Sequence, residues 1–393
     1  MGLARDPLWR RWTATIELVR LLPAMLGLGL LLASYGATRS FATGALVYGA
    51  YALAETASAP LTGRWADSAG LTGVRLALLT GGVCLLALAA AFGAGAPRAL
   101  LMGLGGLLGI VTSGVSGGLK AWLAARMDAG RLGAAWSVDA SLLEAAWLAG
   151  PLLVSLGRAA AGPEGPLWLL TMAVLIAFGL SWRLPAGPPP AAGPHGVRRR
   201  AGEPSPLTRL WPVLALSTAM GGTEGMLLVA MPAWVHAHHL APAWAGPLLS
   251  LFSAASIVGG LAASRHVQGP RGAAAGMLLA VLAAAVAAFA SMPTLALGLA
   301  VLVLGGTVVA PLNAQRSLAV SAAMPPQRQA FGYSALYAAY GLGAGAASLL
   351  LGSRVQVWGV DPLLRAAAAA GFLGALLFVV SGRGAAASPP VRR

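Results

Sequence analysis

The sequence predicts an all-α integral membrane protein whose twelve transmembrane helices form two pseudo-symmetric bundles of six. Hydrophobic residues make up 58% of the 393 positions and charged residues 9%, far below the roughly 25% that soluble domains carry. Apolar stretches of about 18 residues or more, each long enough to cross the hydrocarbon core, recur along the whole chain. In addition, two short sequence segments of the first half align with segments of the second half at one constant offset in residue number.

Six apolar stretches in the first half are predicted to be transmembrane helices, and six more follow in the second half. Between the two groups lies an interval rich in proline and glycine, which predicts a flexible cytoplasmic linker. We therefore expect a first bundle at 1–185, the linker at 186–207 and a second bundle at 208–393. The predicted spans are 14–36, 40–61, 74–94, 98–119, 134–157, 165–184, 209–233, 243–264, 271–291, 293–313, 329–352 and 362–381.

The basic residues predict the direction of the helices. With a cytoplasmic N-terminus, the outer segments hold Arg39, Arg98, Arg158, Arg354 and Arg365, and the inner segments hold the other 21 of the 26 basic residues. Because the cytoplasmic loops of membrane proteins are enriched in arginine and lysine, both termini are expected in the cytoplasm. The sequence thus predicts a multi-pass protein of the cell (inner) membrane.

The two halves also resemble each other in sequence. RLGAAWS at Arg131–Ser137 aligns with RQAFGYS at Arg328–Ser334, and GRWAD at Gly63–Asp67 aligns with GLAAS at Gly260–Ser264. Both pairs are offset by 197 positions, since 328 − 131 and 260 − 63 give the same number. One offset for two landmarks indicates a duplicated six-helix unit, an architecture of many secondary transporters that bind substrate near the bilayer midplane.

A charged segment framed by glycines, GRWADSAG, lies between the second and third predicted helices. Its glycines and aspartate have the spacing G-x-x-x-D-x-x-G. With this motif, the helix count, the linker and the duplication, the chain resembles the major facilitator superfamily over essentially its whole length. The resemblance implies alternating access, with this loop as a latch between the cytoplasmic ends of the two bundles. The latch residues are then Gly63, Arg64, Asp67, Gly70 and Arg75.

Asp67 is able to accept hydrogen bonds from a helix N-terminus or from an arginine at the inner face. A simple polar turn is the alternative interpretation of the motif. The segment also departs from the family pattern, because Leu71 and Thr72 stand where basic residues are usual and Ser264 replaces the aspartate in the second-half copy. A Gly-Pro pair at 150–151 resembles the helix-five motif of the drug:proton antiporter branch, although the glycines that usually surround it are missing.

Acidic residues inside the predicted helices point to function, because a charge at the bilayer centre costs at least ~2.5 kcal/mol. Glu224 and Glu144 lie near the middle of predicted helices seven and five. A carboxyl group in such a place can take up and release protons as access alternates, so both are candidate proton-coupling residues, with Glu55 and Asp139 as further candidates. The alternative is a neutral carboxylic acid that bonds a backbone carbonyl at a helix contact.

Spacing on the helices separates some of these acids. Asp139 and Glu144 are five residues apart and therefore about 140° apart around the helix, so they cannot face the same cavity. Asp139 is expected to pair with an inner arginine such as Arg131 or Arg20. Glu17 and Arg20, spaced i and i+3, are also expected to pair with each other.

Polar and aromatic side chains suggest a substrate cavity. Tyr337 and Tyr340 lie with Tyr333 on one stripe of predicted helix eleven, which is either an aromatic wall for an apolar or cationic substrate or helix packing. Asn313 and Gln315, near the inner end of predicted helix ten, are further candidates. The histidines at 236, 238 and 239 have no further ligand nearby in sequence, so no metal site is expected.

We therefore expect proton-coupled efflux of a small hydrophobic compound or drug, without a cofactor, by a chain that functions as a monomer in the lipid bilayer. The alternatives are a proton-coupled symporter that imports a small metabolite and a membrane-embedded lipid-modifying enzyme. The sequence has no H-E-x-x-H, G-x-S-x-G or Walker-type motif, which disfavours the enzyme. Its basic residues are scattered singly, which disfavours a nucleic-acid partner.

Overall fold

The computed structural model describes residues 3–38, 42–186, 206–240, 245–265, 272–292 and 294–386. Within these ranges the regular structure is helical and contains no strand, as the sequence predicts. Most of the predicted linker, at 187–205, lies outside the described residues. The helices are α1 (Pro7–Thr38), α2 (Ala42–Gly93), α3 (Arg98–Thr112), α4 (Val115–Ala124), α5 (Ala129–Ala161), α6 (Gly165–Ser181), α7 (Pro206–Ala237), α8 (Ala245–Ala263), α9 (Gly272–Phe289), α10 (Leu295–Thr307), α11 (Val309–Ala323), α12 (Gln329–Trp358) and α13 (Val360–Ala386).

Composition and solvent explain why these segments are helices. Alanine and leucine favour helix, and a helix satisfies all its backbone groups internally in hydrocarbon. Among the described residues, six stretches are long and apolar enough to cross a membrane, and three shorter helices are also apolar. The membrane-protein fold class is therefore confirmed, whereas the count of twelve crossings stays a prediction. The six long stretches are Pro7–Gly36, Leu46–Gly93, Arg98–Ala124, Gly130–Ala161, Leu295–Ala323 and Val360–Ser381.

The GRWADSAG segment is not the turn that its charges and glycines predict. Residues 63–69 continue α2, and the helix is interrupted only at Gly70, where φ is 56° and ψ is −142°. Arginine and alanine at positions 64, 66 and 69 are good helix formers, which explains why the helix persists. The charged segment is therefore a helical end that stops at one glycine.

Gly70→Ala is expected to lower the free energy of unfolding by about 1–3 kcal/mol, because this backbone conformation is essentially restricted to glycine. No atom lies within 4 Å of the position that a Cβ would take, so backbone strain and not crowding is tested. Gly103→Ala is the matched control, since its Cβ would also be in open space but its backbone is helical. The measurement is the thermal unfolding midpoint in detergent, and equal shifts for both variants would contradict the expectation.

Two predicted helix boundaries were wrong in a way that matters for the charged residues. The first helix begins at Pro7 instead of residue 14, and the stretch that contains α10 and α11 ends at Ala323 instead of 313. Arg316, assigned from sequence to the inner segment after residue 313, is therefore buried inside α11. Arg20, near the inner end of the predicted first helix, is buried inside α1, and Lys120, assigned to an inner segment, is buried inside α4. The predicted pair of Arg20 with Glu17 is present, which explains how one of these charges is accommodated.

Contacts between residues divide the chain into two compact units. Unit 1 consists of Met1–Met127, Ala145–Glu203 and Met324–Ala338; unit 2 consists of Asp128–Glu144, Pro204–Ala323 and Ala339–Arg393. The first part of α5 thus packs in unit 2 and the first part of α12 packs in unit 1. The predicted domain bounds at 185 and 208 stay a prediction, and each unit receives one segment from the other half of the sequence.

Small residues allow the helices of unit 1 to pack closely, as is common in membranes. A Cβ on Gly105 would lie 2.9 Å from the carbonyl oxygen of Val47, and one on Gly109 would lie 3.0 Å from the backbone nitrogen of Glu55. Helix α3 therefore lies directly against the backbone of α2. Elsewhere in unit 1, the indole nitrogen of Trp12 donates to the carbonyl of Leu119 at 2.8 Å, which joins α1 to α4.

Candidate functional site

Asp67 caps the N-terminus of α12. Its two carboxylate oxygens accept hydrogen bonds from the backbone N–H groups of Ala330 at 2.8 Å and Phe331 at 3.0 Å. Both residues are in the first turn of α12, where N–H groups have no partner within the helix. A carboxylate there is also favoured by the helix dipole. Of the two partners expected for Asp67, the helix N-terminus supplies the hydrogen bonds, and an arginine, Arg328, acts on the carboxylate electrostatically.

Glycines on α2 and α4 make room for the start of α12. A Cβ on Gly63 would lie 2.9 Å from both the Cα of Phe331 and the Cβ of Ser334. A Cβ on Gly117 would lie 2.8 Å from the carbonyl oxygen of Ala330. The first turns of α12 therefore fit against two glycines, one of them the first glycine of the sequence motif.

Two cations of unit 1 lie against aromatic rings at the start of α12. The Arg64 guanidinium is 5.0 Å from the ring centroid of Phe331. The ammonium of Lys120, a side chain that is 5% exposed, lies 5.4 Å from the ring of Tyr337 and 5.9 Å from that of Tyr333. These distances are typical of cation–π contacts. We define the α12 clamp as Gly63, Arg64, Asp67, Gly117 and Lys120 of unit 1.

Arg75, which the sequence motif assigns to the latch, lies elsewhere in unit 1. Its guanidinium donates to the carbonyls of Ser181 at 3.1 Å and Leu184 at 3.4 Å, and it stacks 4.3 Å from the ring centroid of Trp182. These carbonyls are at the C-terminal end of α6, where a cation satisfies unpaired acceptors and the helix dipole. Arg75 therefore joins α2 to α6 and does not contact α12 in the described contacts.

A second polar site lies in unit 2 around Glu224. Its carboxylate hydrogen-bonds the hydroxyl of Tyr340 and interacts electrostatically with Arg316. Glu224 is 7% exposed and Arg316 is 3% exposed. The guanidinium also lies 5.5 Å from the ring centroid of Tyr340. Two opposite charges and a phenol are thus brought together in a part of the protein where isolated charges are costly.

Three further contacts hold the Arg316 guanidinium in place. Its Nε donates to the hydroxyl of Ser217 at 3.0 Å, and one terminal nitrogen donates to the amide oxygen of Asn313 at 2.7 Å. The same nitrogen lies 2.9 Å from the sulfur of Met220. Asn313, predicted as a substrate-cavity residue, therefore orients Arg316, which lies one turn further along α11.

Glycines beside Glu224 explain how it reaches Tyr340. A Cβ on Gly225 would lie 2.8 Å from the Cα of Ala344, and a Cβ on Gly343 would lie 2.7 Å from the backbone nitrogen of Gly222. Helices α7 and α12 therefore approach at backbone distance at this level. The sequence GGTEG thus places its acid at the closest contact of the two helices.

Glu144 belongs to the same surroundings. It is buried, and its charge acts on the Tyr340 hydroxyl. On α5 it shares a face with Ser137 and Ser141, since the three residues are spaced i, i+4 and i+7. Ser141 donates to the carbonyl of Ile257 in α8 at 3.2 Å, so this face of α5 is directed toward α8 within unit 2. We define the unit 2 cluster as Glu144, Glu224, Asn313, Arg316 and Tyr340.

The other predicted residues are not members of this cluster. Glu55 lies in α2 of unit 1, where its carboxylate accepts from the Tyr51 hydroxyl at 3.0 Å. Asp139 is 1% exposed and lies on the opposite side of α5 from Glu144. Gln315 is buried in α11 next to Arg316. The predicted tyrosine stripe is divided, because Tyr337 contacts Lys120 in unit 1 whereas Tyr340 belongs to the unit 2 cluster.

Sequence reasoning missed Arg316 and Lys120 as site residues. The apolar sequence LAVSAA after Arg316 indicated that its helix continues, and Lys120 is the single lysine among 26 basic residues.

The histidine side chains described near the C-terminal end of α7 are not arranged as a metal site. His238, just after α7, stacks on Trp234 with 4.0 Å between ring centroids. No group of three or more histidine, cysteine or acidic side chains that would hold a metal occurs in the described ranges.

Comparison with known proteins gives a consistent result. The family model of the Major Facilitator Superfamily matches residues 19–335. A bacterial homologue of the iron transporter ferroportin, in its outward-facing state, is 15% identical with a TM-score of 0.78 over 96% of this chain and 100% of that chain. The human organic anion transporter MFSD10 (TETRAN) is 19% identical with a TM-score of 0.69 over 95% of this chain and 100% of that chain. No curated protein sequence matches.

Proposed function

The chain belongs to the major facilitator superfamily and is a secondary transporter, not an enzyme, and we propose that it exports a small hydrophobic compound in exchange for protons. The bilayer and a small-molecule substrate are its partners. The exchange takes place by alternating access in the cell membrane, with both chain termini in the cytoplasm.

One observation carries this proposal, namely the buried hydrogen bond of Glu224 with Tyr340 beside Arg316, which interacts electrostatically with Glu224 and faces the Tyr340 ring. A second buried acid, Glu144, acts on the same phenol. Such a group of interacting acids titrates as a unit, and a buried acid that changes its protonation state is a typical proton relay of transporters. We assign proton binding to Glu224 and Glu144.

The α12 clamp supplies the conformational part of the cycle. Asp67 holds the N-terminus of α12 with two hydrogen bonds, and Tyr340 lies further along the same helix. Movement of α12 therefore changes the surroundings of Glu224 and the contacts of Asp67 together. We propose that release of the clamp accompanies the opening of the cytoplasmic side.

Expression in a drug-hypersensitive bacterial host tests the proposal. We expect the wild-type chain to lower the accumulation of at least one hydrophobic dye or antibiotic relative to empty vector. A protonophore is expected to abolish the difference, because the exchange depends on the proton gradient. The measurement is the steady-state fluorescence or radiolabel retained by the cells.

The opposite result would favour the other direction of transport. If the chain raises the accumulation of a metabolite and a protonophore prevents this, a proton-coupled symporter is the better description. If every dye and antibiotic accumulates equally with and without the chain, broad export of hydrophobic compounds is wrong.

A further inference from the structure

Three arginines of unit 1 meet at the turn that follows α6. The guanidinium of Arg11 in α1 donates to the backbone carbonyl of Arg183 at 3.4 Å. The guanidinium of Arg75 in α2 donates to the carbonyls of Ser181 and Leu184. Because these carbonyls belong to four consecutive residues, Arg11 and Arg75 bind the same short turn that contains Arg183. We define the arginine site as Arg11, Arg75, Trp182 and Arg183.

The positive charge of the arginine site is not balanced within the described part of the chain. None of its three arginines forms an ion pair with a carboxylate there. The C-terminal end of α6 offers only about half a negative charge against three guanidinium groups. The described carboxyl groups of unit 1 have other partners or lie at the opposite end of α6, namely Asp6, Glu17, Glu55, Asp67 and Glu164.

Several donors of the arginine site have no acceptor among the described residues. One nitrogen of Arg75, Nη2, makes both of its hydrogen bonds, and its Nε is buried without a partner. The guanidinium of Arg183 is exposed and donates to no described group. The N–H donors of a guanidinium form a planar fork that matches the oxygens of a phosphate group. The site therefore has both the charge and the donors to bind a phosphate.

Apolar side chains beside the site indicate that this phosphate belongs to a lipid. Trp182 is 63% exposed, and its ring lies 4.3 Å from the Arg75 guanidinium; tryptophan is enriched at membrane interfaces. Leu79, Val83 and Leu86 follow on the same side of α2 as the arginine, within about 80° around the helix. These three side chains are 41%, 53% and 45% exposed. An apolar face thus extends along α2 from the site, where the acyl chains of a bound lipid would lie.

We propose that the arginine site binds the headgroup phosphate of an anionic phospholipid in the leaflet where α6 ends. This is the inner leaflet in the orientation that the basic residues predict. Anionic lipids there attract each arginine near the surface with an effect of about fivefold in affinity. The bound lipid joins α1, α2 and α6 and offsets the repulsion among three cations. The proposal does not depend on which compound the protein transports or in which direction.

Native mass spectrometry of the purified full-length protein measures this binding. The probes are dioleoylphosphatidylglycerol and dioleoylphosphatidylcholine, which share the acyl chains and the phosphate but differ in net charge. At low ionic strength we expect the protein to bind phosphatidylglycerol roughly 30-fold or more tightly than phosphatidylcholine. Excess soluble glycerol phosphate is expected not to displace the lipid, because it has no acyl chain to contact α2. Equal affinities for the two lipids, or displacement by glycerol phosphate, would overturn the proposal.

Replacement of the exposed arginines locates the bound lipid. Arg183→Gln removes a side chain that contacts no described group, so the fold is expected to be unaffected. This variant is expected to lower the preference for phosphatidylglycerol about fivefold, and its combination with Arg11→Gln by roughly 25-fold. Arg183→Lys keeps the charge and is expected to keep most of the preference.

Arg126→Gln is the matched control for the loss of one positive charge. The Arg126 guanidinium lies 4.6 Å from the ring centroid of Trp122 and donates to the carbonyl of Trp122 at 3.2 Å. These are the same kinds of contact as in the arginine site, but they occur at the end of α4 and not of α6. The lipid preference is expected to stay at the wild-type value in this variant. An equal loss in Arg126→Gln and Arg183→Gln, or an unchanged preference in the double variant, would show that the lipid binds elsewhere.

Discussion

Glu224→Gln is expected to reduce proton-driven efflux by roughly a hundredfold, the factor that corresponds to the ~2.5–3.5 kcal/mol cost of a misplaced charge in the bilayer. Glutamine has the size of glutamate and still reaches the hydroxyl of Tyr340, but it cannot bind and release a proton. Arg316 then faces one ionisable acid fewer. The measurement is the initial rate of dye efflux at matched expression, with and without a protonophore.

Two further variants separate loss of the proton site from loss of the fold. Glu224→Asp keeps the ionisable group on a shorter side chain and is expected to retain part of the efflux. Glu164→Gln, at the residue that precedes α6 and outside the unit 2 cluster, is expected to behave as wild type. Thermal unfolding of each purified variant reports whether it folds. If folded Glu224→Gln protein exports the dye at the wild-type rate, and a protonophore still abolishes that export, Glu224 is not the proton site.

Asp67→Asn is expected to loosen the start of α12 by about 1–2 kcal/mol, since it removes the charge at the helix N-terminus and one of two capping oxygens. Ser334 reports this change because it is fully buried under Gly63 and Gly117. Its hydroxyl makes no hydrogen bond in the described part of the chain, so Ser334→Cys removes none. In a Cys84→Ala background, maleimide labelling of this cysteine on inverted vesicles is expected to accelerate about 5–30-fold.

Asp6 provides a matched control for this experiment. Its carboxylate caps α1 in the same way, accepting from the N–H groups of Leu8 at 2.9 Å and Trp9 at 3.4 Å. Asp6→Asn therefore removes the same kind of cap from a helix that the clamp does not hold. Labelling at position 334 is expected to stay at the wild-type rate in this variant. Equal rates for Asp67→Asn and wild type would show that the cap does not restrain α12.

Much of the fold follows from composition alone. A chain with 9% charged residues cannot remain in water, and helices are the structure that a single apolar stretch adopts in a bilayer. The first and last residues of the helices were less predictable where charged residues lie inside a helix. Rules that assign arginine to loops placed Arg316 outside the membrane, although the apolar residues after it continue α11.

The candidate site was predictable as chemistry but not as geometry. Acids near helix centres pointed to Glu224 and Glu144; Glu224 hydrogen-bonds the Tyr340 hydroxyl, and the charges of both acids act on it. Asp67 of the motif was expected to accept hydrogen bonds from a helix N-terminus. The residues around Asp67 do not indicate which helix this is, because the partner Ala330 lies 263 residues away in the sequence. Helices in which alanine and glycine occupy every face have no apolar stripe that would show which side meets which neighbour.

During synthesis, the exchange of segments between the units sets an order of assembly. Domains usually fold in sequence as the ribosome delivers them, but unit 1 includes Met324–Ala338 and stays incomplete until that segment emerges. Until then, the surface around Gly63 and Gly117 that receives the first turns of α12 faces lipid or water. Folding of the first half of the chain is therefore complete only after the second half has been synthesised. In a truncated nascent protein this surface stays uncovered and is accessible to membrane quality control.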